Sequence, residues 1–332
     1  MEMKVIAEIA QAHDGNIDRA HAFIDALACT GVDIIKFQTH IAEHESSDVE
    51  PWRIKFSRFD ETRYEYWKRM EFTEEQWIGL KKHVESKFME FLSSPFSVEA
   101  ALMLNKIDVS QWKIASGEIN NIQLLNFILE TQKPIIVSTG MSDLNEIDRI
   151  YNKLVSSGAD FTLMQCTSKY PTPLDEIGLN VMTYLKNKYS IPVGLSDHSG
   201  RVFTGIAAAV LGASILEVHV CMSKYDCGPD TAASLTVDEL QTLVKGIREI
   251  EMLQRVVDKN YIAANLCDIS KIFKKSLCAK CDIPAGVVLT DDMLTARKPA
   301  IGISVEKIED IIGRKTLAPI LKENFIKEED IQ

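Results

Sequence analysis

Two histidines carry the clearest chemical signal in the chain. His198 closes the run Gly194-Leu195-Ser196-Asp197-His198, and His219 lies twenty-one residues later in Leu216-Glu217-Val218-His219-Val220. Each ends a short apolar run that reads as a buried strand, and the Ala- and Gly-rich Val202–Leu211 between them reads as a packed helix. A right-handed strand–helix–strand unit brings both strand ends to one edge of a parallel sheet. Two imidazoles at one edge can share a divalent metal, with Glu217 and Asp197 near enough to act as acceptors that fix the rings. The plainer alternative is a pair of unrelated core histidines.

Other strand-like runs also end in reactive or polar groups. They supply Glu8, Lys36 with Gln38, Ser93 with Ser94, Lys113 with Ser116 and Glu118, Ser138, Thr167 with Ser168, and Ser196. Alternation along a strand puts Lys36 and Gln38 on one face, and likewise Ser196 with His198 and Glu217 with His219. A lysine inside an apolar strand needs an anionic partner. Lys36 and Lys113 therefore either pair internally with Glu8 and Glu118, or hold a phosphorylated or carboxylated substrate ringed by the hydroxyls of Ser94, Ser116, Ser138 and Ser196.

Eight such runs alternate with segments of helical periodicity: Val5–Ala10, Ile34–Thr39, Phe88–Ser94, Trp112–Ser116, Pro134–Ser138, Phe161–Ser168, Pro192–His198 and Ile215–Val220. This α/β alternation points to a (β/α)8 TIM barrel, whose active sites lie at the C-terminal strand ends. No Gly-x-Gly-x-x-Gly follows the first strand, which weighs against a dinucleotide fold. The charged, aromatic insert from Ile41 to Phe72, with Trp52, Tyr64, Tyr66 and Trp67, suits a lid or wall. Val237–Val257 reads as the last barrel helix, with Thr236 and Glu239 forming a capping box. The expected division is a catalytic barrel over 1–257, a polar linker over 258–273 and a small separate domain over 274–332.

The 332 residues are 46% apolar, enough for one large core and a small extra domain. A net charge of −11 argues against nucleic acid or an anionic membrane surface as the main partner. No apolar run is long enough for a membrane span, and the strand beginning just after Met-Glu-Met-Lys leaves no room for a signal peptide. Seven cysteines, mostly within apolar runs, suggest reduced thiols in a cytoplasm. The lone Cys278-x-x-Cys281 reads as packing rather than zinc or redox chemistry.

Taken together and in order, these strings resemble the sialic acid synthases, which condense phosphoenolpyruvate with an N-acetylated hexosamine. The resemblance rests on Ile6-Ala7-Glu8-Ile9, His13-Asp14-Gly15, Lys36-Phe37-Gln38-Thr39, Ser93-Ser94-Pro95-Phe96-Ser97 and Trp112-Lys113-Ile114-Ala115-Ser116-Gly117-Glu118. It continues through Ser138-Thr139-Gly140-Met141, Cys166-Thr167-Ser168-Lys169-Tyr170-Pro171, Gly194 to His198, Glu217-Val218-His219 and Gly228-Pro229-Asp230. The C-terminal Lys275-Ser276-Leu277, Asp282-Ile283-Pro284-Ala285-Gly286 and Leu289-Thr290 resemble that family's antifreeze-like (SAF, β-clip) domain.

The resemblance implies a domain-swapped homodimer, the C-terminal domain of one subunit closing the barrel of the other. It implies that His198 and His219 hold manganese or magnesium, a Lewis acid on the sugar aldehyde. Lys36, Lys113, Ser94, Ser116, Ser138 and Ser196 would surround phosphoenolpyruvate, Ser168 would bind substrate, and Glu8 would act as acid and base. Gln38, Glu118, Tyr170 and Asp230 would grip the sugar, joined by Lys298 or, in its place, the neighbouring Arg297. The chain departs from the family pattern at Ala12, usually Asn, at Val218, usually Arg or Lys, and in a loop holding Tyr225 and Cys227. Lys298-Pro299-Ala300, with Arg297 beside it, stands for the family's Arg-Pro-Gly. These departures keep the reaction type and bear on the acceptor, N-acetylmannosamine or a diamino-dideoxy analogue. Two other readings remain: a metal-dependent barrel aldolase or lyase working through pyruvate enolate, and a catalytically idle scaffold.

Overall fold

Eight parallel strands form the first unit of the computed structural model, which describes residues 2–332. They are β1 (Lys4–Glu8), β2 (Ile34–Thr39), β3 (Glu90–Pro95), β4 (Trp112–Ile114), β5 (Ile135–Ser138), β6 (Phe161–Cys166), β7 (Val193–Asp197) and β8 (Ile215–Cys221). The hydrogen-bonded order is β3-β2-β1-β8-β7-β6-β5-β4, and β3 and β4 pack beside each other at its two ends, so the sheet curls into a TIM barrel. All eight expected strands are present. Their ends move where the backbone turns: Phe88 is exposed at φ 61°, so β3 starts at Glu90, and Ser116 opens a short 3-10 turn after β4.

Inside the barrel, Ile6, Ile34, Leu92, Ile136, Met164 and Ile215 form an apolar plug. Two residues further along each strand the inward face turns polar: Glu8, Lys36, Ser94, Ser138, Cys166 and Glu217. The period of two therefore stacks a polar layer directly on the plug. Gly194 supplies space rather than a side chain, since a Cβ there would collide with the backbone carbonyl of Ile215 on β8. The helix Val202–Val210 between the two histidine strands forms as expected, and Val237–Leu253 carries the Thr236/Glu239 capping box.

The insert folds into a short helix, Ala42–Glu45, and a second, Arg63–Met70, started by its own capping box at Thr62 and Glu65. Ala42, Tyr66, Trp67 and Met70 bury together, with Trp52, Phe56 and Tyr64 against them. The chain folds as two compact units, Met1–Gln254 and Arg255–Gln332. The stretch 258–273, expected only as a polar linker, forms two helices, Lys259–Asn265 and Cys267–Phe273. Within the second unit Ser276–Ala279 and Leu294–Arg297 pair antiparallel over a core including Leu277, Ile283, Leu289, Ile303, Ile320 and Ile326. Cys278 is buried in it and Cys281 is exposed, both as free thiols. Among the described residues no helix is long and apolar enough to cross a membrane.

Candidate active site

Glu217 is the centre of the polar layer. Its carboxylate lies 3.6 Å from Lys36 Nζ and 3.4 Å from Lys113 Nζ, and it accepts a hydrogen bond from Ser196 Oγ at 3.2 Å. Lys36 also reaches Glu8 at 2.7 Å, and Lys113 donates to Ser138 Oγ at 2.8 Å. The strand register sets this arrangement: Glu8 lies opposite both Lys36 on β2 and His219 on β8, and Ser196 lies opposite Glu217. All of these side chains are buried.

Two cations and two carboxylates packed this closely balance one another. Burial opposes the charge on Lys36, but Glu217 and Glu8 outweigh it and raise its pKa; burial and the neighbouring Lys36 instead pull Lys113 down against Glu217. Burial also opposes ionisation of Glu217, yet Lys113 and Lys36 hold its carboxyl well below the usual range. Both lysines thus have internal anionic partners, as the plainer expectation held. Lys113, however, pairs with Glu217, while Glu118 instead accepts from Asn121 Nδ2 at 2.8 Å.

These groups form the floor of a cavity of about 440 Å³, a size suited to small-molecule ligands. Glu8, Lys36, Gln38, Lys113, Ser116, Glu118, Ser138, Ser168, Tyr170, Ser196, His198, His219 and Asp230 all line it, as does Glu217. Gln38 donates to Glu8 at 2.7 Å. A Cβ at Gly140 would collide with Ser116, Ser168 and Cys166, so this glycine leaves open a pocket edged by hydroxyls beside Lys113. Ser94 is brought to β3 but is not among the lining residues; it is fully buried and its Oγ has no hydrogen-bond partner. Lys298 belongs to the second unit, where its Nζ lies 5.1 Å from the centroid of the Phe273 ring, while Arg297 pairs with Glu323 at 3.1 Å.

His198 and His219 face each other with ring centroids 5.2 Å apart, and Tyr170 stacks on His198 at 4.1 Å. The groups expected to fix the rings do something else. Strand alternation turns Asp197 outward, where it accepts from Ser199 and Thr204, and Glu217 sits one layer deeper with the lysines. His198 Nδ1 is instead 3.0 Å from the Thr167 carbonyl, which only an N–H can satisfy, so Nε2 keeps its lone pair. Burial, and then the neighbouring His219, lower the His198 pKa to about 3. A neutral, oriented imidazole is the form a metal requires.

Among the described residues no set of three His, Cys, Asp or Glu side chains converges as a metal cage. Asp230 comes nearest, 3.8 Å from His219 Nδ1. Two imidazoles with the Asp230 carboxylate nearby form a mixed N/O set for a divalent ion whose remaining ligands would be oxygens from water and substrate, and nothing in the set itself selects one metal.

Residues that the motifs did not single out complete the walls. Arg53 of the insert reaches Asp230 at 2.6 Å and stacks over Tyr170 at 4.3 Å. His40 and Glu45 also line the cavity. His40 continues the inward face of Lys36 and Gln38, so the period of two was the available signal; nothing local marked Arg53.

Comparison with known proteins agrees with this fold. The family model described as the NeuB family matches residues 23–259, and the SAF domain model matches residues 274–332. The chain is 34% identical to N,N'-diacetyllegionaminic acid synthase of Campylobacter jejuni, over 98% of each chain. It is 31% identical to human N-acetylneuraminate-9-phosphate synthase, over 98% of this chain and 91% of that one. Among solved structures, the N-acetylneuraminic acid synthetase of Leptospira borgpetersenii, in complex with citrate, superposes with a TM-score of 0.70 at 28% identity. That likeness covers 81% of this chain and 91% of the other.

Proposed function

The chain belongs to the NeuB family, and from that premise we propose that it is a nonulosonic acid synthase joining phosphoenolpyruvate to an N-acetylated amino sugar with release of phosphate. The observation that carries the reading is the buried pair Lys36 and Lys113, on either side of Glu217, beneath the hydroxyls of Ser116, Ser138, Ser168 and Ser196. A substrate with a carboxylate and a phosphate matches two lysines and several O–H donors, since charge-assisted hydrogen bonds are the stronger ones. A pyruvate enolate would leave the phosphate half of that cradle without a use.

In this proposal Lys36 and Lys113 bind and orient phosphoenolpyruvate with its C3 toward the sugar aldehyde. His198 and His219 would hold a divalent ion, which would supply Lewis-acid polarisation of that aldehyde. As C3 bonds to the aldehyde carbon, positive charge develops at C2, above the carboxylates of Glu217 and Glu8. Glu8 takes a proton from the water that adds at C2, its position fixed by Gln38 and Lys36. The carbon–oxygen bond to phosphate then breaks. Glu118, Tyr170 and Asp230 receive the sugar, and Lys298 of the partner subunit closes the site in a homodimer.

Incubation with phosphoenolpyruvate, manganese and N-acetylated hexosamines tests the reading. One phosphate should appear per sugar consumed, with no turnover in excess chelator. Turnover with pyruvate and no phosphate release would replace it with the aldolase reading.

A further inference from the structure

Beside the lysine floor, one wall of the cavity has a built acceptor that the reaction chemistry leaves unused. His40 is 5% exposed and lies flat between Trp67 and Phe96, with ring centroids 4.1 and 4.4 Å away. Its Nδ1 is 2.7 Å from Glu45 Oε1, and its Nε2 is 3.2 Å from the side-chain oxygen of Gln38. Glu45 is the last residue of the short helix Ala42–Glu45, and its side chain is only 7% exposed. Its other oxygen, Oε2, is buried without any hydrogen-bond partner, although the residue lines the cavity.

A carboxylate oxygen left bare in a buried wall is costly unless a ligand donates to it. Glu118, the next carboxyl along the cavity, is pushed up by its own burial and, more weakly, by the charge of Glu45, so the two lie close enough to sense each other. Glu45 has no lysine or arginine partner among the described residues, and Arg63, 5.1 Å over the Trp67 ring, is paired with Glu50 at 2.9 Å. The neighbouring surface is aromatic, since Trp67 and Phe96 line the cavity as well. An acceptor-only oxygen beside aromatic carbon calls for a group with a pure N–H donor next to an apolar methyl. A secondary amide offers an N–H donor with an acyl methyl on the same group, so it meets both the bare oxygen and the aromatic surface, whereas a hydroxyl meets only the oxygen.

We propose that Glu45, positioned by His40, is a specificity-determining residue that receives the N–H of a second acylamino group on the acceptor sugar, whose acyl methyl packs against Trp67 and Phe96. The inference rests on the synthase reading and selects an acceptor bearing two acylamino groups over one with a hydroxyl at the second position. His40 acts through Glu45 as a positioning residue. It fixes the carboxylate so that Oε1 is occupied and Oε2 is presented.

The test compares a 2,4-diacetamido hexose with N-acetylmannosamine, reading phosphate release for the wild type, Glu45→Gln and His40→Phe. Phe keeps the stack between Trp67 and Phe96 and removes the nitrogen that holds Glu45. The wild type should favour the diacetamido sugar. Glu45→Gln should raise its KM roughly tenfold or more, as expected for a lost charge-assisted contact, with the phosphoenolpyruvate KM unchanged within about twofold. The KM for N-acetylmannosamine should move little, and His40→Phe should show the same selective loss to a smaller degree, with thermal melting confirming that both variants fold. A wild type that releases phosphate but prefers N-acetylmannosamine, or variants that shift both acceptors or neither, would overturn this inference and leave the synthase reading standing. A wild type that releases no phosphate with any acceptor would overturn both.

Discussion

Lys113 has two roles whose losses can be separated. It neutralises Glu217 and, in the proposed reaction, it holds phosphoenolpyruvate. Breaking a buried ion pair outright costs about 3–5 kcal/mol, but in Lys113→Met the carboxylate of Glu217 keeps Lys36 at 3.6 Å. The variant should therefore fold with lowered stability while its phosphoenolpyruvate KM rises roughly tenfold to a hundredfold. Steady-state kinetics with each substrate varied in turn would refute the assignment if only the sugar KM moved. His219→Ala should abolish manganese binding, read by calorimetry, without lowering the melting temperature much, because it removes little core volume. His13 gives a pH signature. Burial, then His40, lowers its pKa to about 3, and its Nδ1 accepts the Gly15 N–H at 3.1 Å, so it is folded as the neutral tautomer. Between the ordinary value of 6.5 and about 3 the unfolded chain binds the extra proton, so stability is full above that window and falls as pH drops through it. The loss cannot exceed about 1.4 kcal/mol per pH unit from this residue. His13→Asn should flatten the fall in melting temperature below pH 6.5, and an unchanged slope would show that His13 is not its source. At this scale the reactive residues were legible because strand alternation exposes them, while their partners were not. Glu217 and Asp197 were both taken as supports for the histidines, and only the layer depth and facing of each strand show that one serves the lysines and the other a turn.

Gly194 shows how an element sets the site. It lets β7 approach β8, and β7 carries both Ser196 and His198. Gly194→Ala should force the two strands apart, costing about 1–3 kcal/mol as overpacking does and lowering turnover further than the stability loss explains. Urea unfolding beside kinetics would measure both, and wild-type values for the variant would mean that the close approach is dispensable. At the last barrel helix, Thr236 accepts from the Glu239 N–H and Glu239 accepts in return from Thr236 N. Thr236→Ala should cost about 1 kcal/mol with kinetics intact. All eight strands were readable because each is a short, mostly apolar run bounded by turn residues. Their ends were not, since Phe88 at positive φ and the turn at Ser116 are backbone decisions that hydrophobicity does not record. The insert was recognisable as a wall, but not the contacts it makes. Arg53 meets Asp230 across 177 positions of sequence, a pairing that no local pattern encodes.

At the scale of the whole molecule, the chain has two units, and the proposal requires the second to serve a site in the first through a homodimer. If Lys298 of the partner subunit completes that site, mixing inactive His219→Ala chains with inactive Lys298→Ala chains should restore part of the activity. Mixed dimers without recovery would mean that each C-terminal unit serves its own barrel. The barrel was legible from the eightfold alternation. The two helices at 258–273 were missed although Ile262, Leu266, Ile269 and Phe273 recur at helical spacing, because polar residues surround them and neither helix buries a side chain. The central claim is that the lysine and serine cradle holds phosphoenolpyruvate for carbon–carbon bond formation with loss of its phosphate through the carbon–oxygen bond. Phosphoenolpyruvate labelled with heavy oxygen at the position bridging carbon and phosphorus tests this directly. With an acceptor sugar present, mass spectrometry should find the label in the phosphate, one equivalent for each sugar consumed. Phosphate released without the label, or released equally in the absence of sugar, would contradict the account.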